Sequence, residues 1–375
     1  MKISDIRLTR IRYPMPFTLR WGRGSRDEVY AIVVQVFTDE GITGLGVLNG
    51  PYGPIRTSLE EILLPRLKGQ NPLDIERLWP MMYAAASIES AVAGVIGGID
   101  IALWDIAGKV AGLPVYRLLG AAHDSLPVYI APSMKQPEVI AEECHTYREV
   151  GYPAIKLRLG LGFVGLAEPG TIAKDIEIIE AARRILGDKI VIGVDTDKTY
   201  DHFTTLKLAP VLEDYDIAWL EEPLVARDRE QYVRAMERLQ GLLKVPLSGG
   251  QMFFSRYQYS DLVSRRAVDI VQPDVVRVGG ISELRRVGEL ADVWGLKCMP
   301  HVSCGVGHDI QLVATAHALA SLSNAMYLCY PAYDTPLRTE LLVEQPRVVG
   351  GRLPLPQKPG LGIELNQEAL ARFAG

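Results

Sequence analysis

The chain has 375 residues, 48% hydrophobic and 23% charged, with a formal net charge of −5. This is the make-up of a folded protein with a large core. The absence of a basic patch argues against nucleic acid as a partner, and no apolar run approaches the ~20 residues of a membrane span. Four cysteines, Cys144, Cys298, Cys304 and Cys329, form no C-x-x-C pair. That argues against a zinc site or disulfide framework and for a reducing, cytoplasmic setting. The opening "MKISDIRLTRIRY" lacks a signal-peptide core.

In chain order, the N-terminal stretch reads as a β-meander. "KISDIRLTRIRY" and "YAIVVQVFTDEGITGLGVL" alternate or run β-branched, and "DEGITG" supplies a hairpin turn. Residues 56–120 read as helices. Within them "AVAGVIGGIDIALWDIAGKVAG" is apolar on most faces, as expected of a deeply packed helix. From residue 126 short apolar runs alternate with amphipathic helical stretches such as "TIAKDIEIIEAARRILG". The runs are "PVYIAPS", "PAIKLRLG", "IVIGVDTD", "IAWLEEP", "VPLSGG", "VDIVQPD", "LKCMPH" and "AMYLCY". Eight strand–helix repeats predict an α/β fold, a TIM-like (β/α)8 barrel over 126–330. Residues 1–125 form an α+β capping domain in this reading, and the tail, 331–375, returns to the cap.

In such a barrel the C-terminal ends of all strands open on one mouth. The ends here carry Lys156 and Arg158, Asp195 and Asp197, Glu221 and Glu222, Gln251, Asp274, and His301. Any one acid alone reads as a cap or surface residue; their succession around one rim is the signal. Asp195, Glu221 and Gln251 lie on adjacent strands, ~4.8 Å apart, where three oxygen donors suit Mg2+. A carboxylate beside an imidazole, Asp274 with His301, makes a general base. Lys156 and Arg158 alternate onto one face and are placed across the barrel from His301. The layout suits removal of a proton next to a carboxylate, with the metal and lysine stabilising the enediolate. "GLGFVG" from Gly160, with Glu180 after it, offers a competing dinucleotide-binding reading, but it leaves the acid rim unexplained. The other histidines, His123, His145, His202, His308 and His317, read as surface or packing residues.

These motifs, in this order, resemble the enolase superfamily in its mandelate racemase-like subgroup. "ALWDIAGKVAGLPVYRLLG" resembles the helix between cap and barrel, "VDTD" and "WLEEP" the first two ligand motifs, "PDVVRVGG" and "PHVSCGVG" the Asp–His dyad, and "KPGLGIEL" the tail. The resemblance implies a metal-dependent enzyme acting on a small carboxylate substrate, commonly as a homo-oligomer, with cap loops selecting the substrate. Arg20, Arg23 and Arg26 in "PFTLRWGRGSRDE" are candidates to meet its carboxylate or hydroxyls, and Arg20 and Asp197 are assigned to substrate binding.

Three positions depart from the family pattern. Gln251 stands where a ligating glutamate is usual, so the protein donors fall from three charges to two. Arg158 replaces the second lysine of K-x-K and, staying protonated, is a poor base; Lys156 resembles the lysine that steadies the substrate carboxylate. Cys329 aligns with a frequent glutamate at the eighth strand end and is placed beside the substrate. One good base, His301, favours abstraction followed by loss of a β-hydroxyl, the dehydration of a sugar acid to a 2-keto-3-deoxy acid. By resemblance, the histidine side corresponds to the R configuration at carbon 2. A racemase or epimerase, or a diverged binding member, is the alternative.

Overall fold

The structure, a computed structural model, describes residues 1–21, 24–88, 92–160, 171–303 and 309–375. The chain opens with an antiparallel sheet in the order β1 (Ile3–Trp21), β2 (Gly24–Thr38) and β3 (Thr43–Leu48). The turn between β2 and β3 falls on the predicted residues. Gly41 adopts φ +83° there, and the Thr38 hydroxyl donates to Ile42 O and accepts from Ile42 N. Along β2 the side chains alternate between two cores. Val29, Ala31 and Val33 join the barrel-side cluster, and Ile32, Val34 and Val36 join the cluster of the cap helices. Both faces are covered, so the strand reads as a nearly unbroken apolar run.

The expected packed helix spans Ala93–Ala111 and lies against β3. A Cβ on Gly46 would stand 2.0 Å from Gly98 O; glycine on both elements lets their backbones meet. Two acids of this helix are buried because each satisfies main-chain donors elsewhere. Asp105 accepts from Leu45 N and Leu361 N at 2.8 and 2.7 Å. Asp100 accepts from Ser282 N at 3.0 Å and the Ser282 hydroxyl at 2.6 Å.

Among the described residues eight parallel strands follow: β4 (Ser125–Ala131), β5 (Ala154–Arg158), β6 (Val191–Asp195), β7 (Ile217–Glu221), β8 (Leu247–Gly249), β9 (Ile270–Val271), β10 (Lys297–Cys298) and β11 (Leu328–Pro331). Each of the eight predicted runs contributes one. Strands β4 to β10 lie side by side in sequence order, and β11 flanks β4 on its other edge. The ring closes where Cys298 N donates to Asn324 O at 3.0 Å and Met326 N donates to Cys298 O at 2.9 Å. The fold is therefore a (β/α)8 barrel under a β-sheet-and-helix cap. The tail adds β12 (Arg352–Pro354), antiparallel to β4. It then reaches the cap through Val115 N to Gly360 O (2.9 Å) and Gly375 N to Arg10 O (3.2 Å).

Two features position the site. Gly193 of β6 pairs with Trp219 of β7, and a Cβ at Gly193 would meet the indole at 2.0 Å. Trp219 packs edge-on against Tyr129 at 5.6 Å. This aromatic floor lies two residues before Asp195 and Glu221, on the same face of each strand. Above, the β1–β2 hairpin is bonded to the segment leaving β4. Arg20 N donates to the Ser133 hydroxyl (3.0 Å) and Met134 N donates to Arg20 O (3.1 Å).

Candidate active site

Asp195 and Glu221 end β6 and β7 and are partners in register. They are 3% and 1% exposed, so two carboxylates face each other out of water. Lys156, two residues before the end of β5, is 1% exposed and lies between them. Its Nζ stands 2.7 Å from Glu221 Oε1 and 3.0 Å from Asp195 Oδ2. Arg158 Nη1 approaches Asp195 at 3.6 Å, and its Nε donates to Pro132 O at 3.1 Å. The pair titrates unevenly. Burial opposes ionisation of Asp195, but Lys156 and Arg158 outweigh it and hold that carboxyl at about 2. Burial and the Asp195 charge push Glu221 up to about 7 against the pull of Lys156. The two acids share the Lys156 ammonium, and the Arg158 guanidinium stands beside Asp195 alone.

The neighbouring Glu222 serves a different purpose. Its backbone is left-handed, φ +40°, an arrangement that costs energy for a non-glycine residue and is common at functional sites. Turned away from Glu221, its carboxylate accepts from Gln251 Nε2 (2.6 Å) and Gly250 N (3.2 Å) and pairs with Lys198 Nζ (2.8 Å). A carboxylate accepts only from the NH2 end of an amide, so Gln251 has its Oε1 directed away from Glu222. Glu221 is held separately: Gln272 Nε2 donates to its Oε2 at 2.8 Å.

Across the mouth, His301 Nδ1 stands 2.7 Å from Asp274 Oδ2. Asp274 is fully buried and also accepts from Val276 N (3.0 Å) and from Gln311 Nε2. Gln311 in turn accepts from Asn49 of the cap at 3.2 Å. With Nδ1–H donated to the carboxylate, Nε2 is the basic end of the ring. Burial lowers the His301 pKa below its ordinary value, outweighing the Asp274 hydrogen bond and charge. The imidazole is therefore neutral near pH 7, as a base must be.

Comparison with known proteins decides the kinship. Residues 139–369 match the "Enolase C-terminal domain-like" family, and residues 5–120 match "Mandelate racemase / muconate lactonizing enzyme, N-terminal domain". The chain belongs to the enolase superfamily, mandelate racemase/muconate lactonizing enzyme group. It is 32% identical over 356 residues to the D-xylonate dehydratase of Haloferax volcanii, covering 90% of this chain and 84% of that one. It is 32% identical over 352 residues to the arabinonate dehydratase of Saccharolobus solfataricus, covering 91% and 90%. The crystal structure of a racemase from Streptomyces coelicolor A3(2) with bound magnesium superposes with a TM-score of 0.85 at 25% identity and 100% coverage of both chains.

In this enolase-superfamily barrel the residues singled out from sequence fall into three sets. Lys156, Arg158, Asp195, Glu221, Gln251, Asp274 and His301 ring one mouth. Lys156 stands between the two acids, because two buried carboxylates attract the nearest flexible ammonium. Asp197 is half-buried beside them, with φ +48°, and its backbone N–H holds Asp195 Oδ1 at 2.9 Å. Arg20 and Cys329 stand differently from expectation. The Arg20 side chain is exposed because strand alternation turns the adjacent Leu19 inward, and its main chain bonds Ser133 and Met134. Cys329 is buried in β11 and disulfide-bonded, so it offers no free thiol to a substrate, and the expectation of no disulfide is corrected. Residues 161–165 of "GLGFVG", with Arg23, Cys304 and His308, lie outside the described residues, and Gly160 follows a barrel strand rather than opening a dinucleotide fold. His317 is buried, accepting from Tyr116 N (3.1 Å) and bonding Leu361 O (3.0 Å). Gln272, Gln311, Asn49 and Lys198 carry no signal in the sequence, because their parts depend on what lies across the barrel. Among the described residues no helix is long and apolar enough to cross a membrane.

Proposed function

We propose that this protein dehydrates a sugar acid to a 2-keto-3-deoxy acid. The observation that carries the reading is the asymmetry of the mouth: a neutral, carboxylate-bound imidazole on one side and the permanently charged Arg158 on the other. The relatives named as xylonate and arabinonate dehydratases support it.

The donor set suits a divalent cation. Asp195 and Glu221 present buried carboxylates in register, and the buried Ser248 hydroxyl, in register with Glu221, has no partner among the described residues. The third donor is an amide, Gln251, whose Oε1 is directed away from Glu222 because its NH2 end donates there. Mg2+ held by Asp195, Glu221 and Gln251 would supply charge stabilisation for the enediolate.

In the chain's own chemistry, Lys156 holds the substrate carboxylate and lowers the cost of charge on its oxygens. His301 Nε2 takes the proton from carbon 2, while Asp274 fixes the ring and stabilises the imidazolium. The enediolate electrons then form the C2–C3 double bond as the C3–O bond breaks. His301 returns its proton to the departing hydroxyl, releasing water, and the enol tautomerises to the keto acid. A single base addresses one face, and the family resemblance implies that the histidine face corresponds to the R configuration, so a 2R-hydroxy acid is the expected substrate. Keto-acid formation from a panel of sugar acids tests this: turnover of at least one 2R acid, lost in His301→Asn, is expected. Racemisation without keto acid would overturn it.

A further inference from the structure

The cap brings cations to the mouth that this dehydration chemistry does not use. Across the β1–β2 hairpin Arg26 pairs with Leu19, and Arg20 pairs with Ser25. Cross-strand partners share a face. Leu19 is buried and Ser25 is exposed, so Arg26 is turned inward and Arg20 outward. The Arg26 guanidinium is half-buried, 5.1 Å over the Trp21 ring and 5.8 Å over Tyr30. Among the described residues it forms no ion pair.

Two further guanidiniums belong to the same mouth. The hairpin tip is bonded to Ser133 and Met134, and Arg158 Nε bonds the adjoining Pro132 O. Arg277, three residues beyond Asp274, rests its Nη1 on Met252 Sδ at 3.1 Å, beside Gln251. Burial lowers the Arg26 pKa, and the Arg277 and Arg158 charges lower it further against the opposing influence of Tyr30. Arg277 lies near enough to the buried Asp274 for its charge to favour that carboxylate, and Arg158 lies 3.6 Å from Asp195, so Arg26 is the one of the three that has no such carboxylate among the described residues. Like charges gathered in a partly desolvated place are costly until an anion arrives.

We propose that Arg26 and Arg277 receive a second anionic group at the far end of the substrate, so that the preferred sugar acid carries a terminal carboxylate or phosphate. The proposal rests on the sugar-acid reading above. A guanidinium fork matches either group, and the two rings hold the Arg26 fork in place before binding.

Gluconate, glucarate and 6-phosphogluconate share carbons 1–5 and differ only at carbon 6. Calorimetric titration of each into the Mg2+-loaded His301→Asn protein, which should not turn them over, reads affinity alone. One or both of glucarate and 6-phosphogluconate, dianions in the sense that each has two anionic groups, should bind roughly tenfold or more tighter than gluconate, and the tighter of the two identifies the terminal group. Arg26→Gln and Arg277→Gln should bring that ratio towards one, and Arg26→Lys should restore part of it. The proposal is overturned if gluconate binds as tightly as both dianions, if Arg26→Gln weakens all three alike, or if none binds. Turnover of the same acids by the native protein separates the two readings. Keto acid without dianion preference leaves dehydration standing and removes the anion site. Dianion preference lost in Arg26→Gln, with no keto acid from any of the three, does the reverse.

Discussion

Glu221 and Glu222 are consecutive, yet one faces Lys156 inside the mouth and the other holds Gln251 and Lys198. The left-handed turn at Glu222 makes that division possible. It also changes what a family-like glutamate would do at position 251. In Gln251→Glu a new carboxylate would stand against Glu222, with Lys198 alone to balance both. The variant should melt lower than the native protein without metal and gain more in melting temperature on adding Mg2+, because a ligand that relieves repulsion in the folded state stabilises it more the tighter it binds. Equal Mg2+-induced shifts in the two proteins would contradict this. At His301 the sign of the pH effect follows from burial. Its folded pKa lies below 6.5, so the neutral base persists as pH falls through 6.5, and the acid limb of kcat/KM with saturating Mg2+ should lie below that value. Asp274 raises the His301 pKa, so Asp274→Asn should move the limb still lower while slowing turnover.

At the scale of elements, the eight strand runs were legible because each is apolar, short and closed by a polar residue, and that pattern survives into the barrel. Register was not legible. In "LRWGRGSR" arginines fall on both faces of a hairpin, and only the pairing of Leu19 with Arg26 tells which turns inward. Polar partners such as Gln272 on Glu221 and Gln311 on Asp274 were equally hidden, since an amide carries no periodic signal and its partner is distant in sequence. The helix Asp309–Leu319 shows the same in His317, which joins Tyr116 to Leu361 and has its pKa lowered by burial to about 4. The unfolded chain takes up this proton near pH 6.5 and the folded one does not. The His317 contribution to stability is therefore present above pH 6.5 and is lost as pH falls towards 4. Between pH 7 and 4.5 the gap in unfolding free energy between native protein and His317→Asn should shrink by about 2 kcal/mol. Asp100 and Asp309, both raised to about 7 by burial, act in the opposite sense but in both proteins, so they cancel in the comparison. A gap independent of pH would show that His317 titrates as it does when unfolded.

Over the whole molecule, barrel, cap and tail each contribute to one mouth. The barrel aligns acids, amide and imidazole on successive strand ends. The cap reaches them by the hairpin bonded at Ser133 and by Asn49, which bonds the Gln311 that holds Asp274. The tail fastens β4 to the cap through β12 and Gly360. That one base, His301, removes the proton from one face of carbon 2 is tested by incubating the protein with the two carbon-2 epimers of a turned-over sugar acid in D2O and following loss of the carbon-2 proton by NMR. The R epimer should exchange or turn over, the S epimer should not, and His301→Asn should abolish the reaction while its Mg2+ binding persists, positioned bases typically accounting for ~10²–10⁴-fold in rate. Exchange of the S epimer at a rate comparable to the R epimer, or exchange that survives in His301→Asn, would contradict the account and make Lys156 a base.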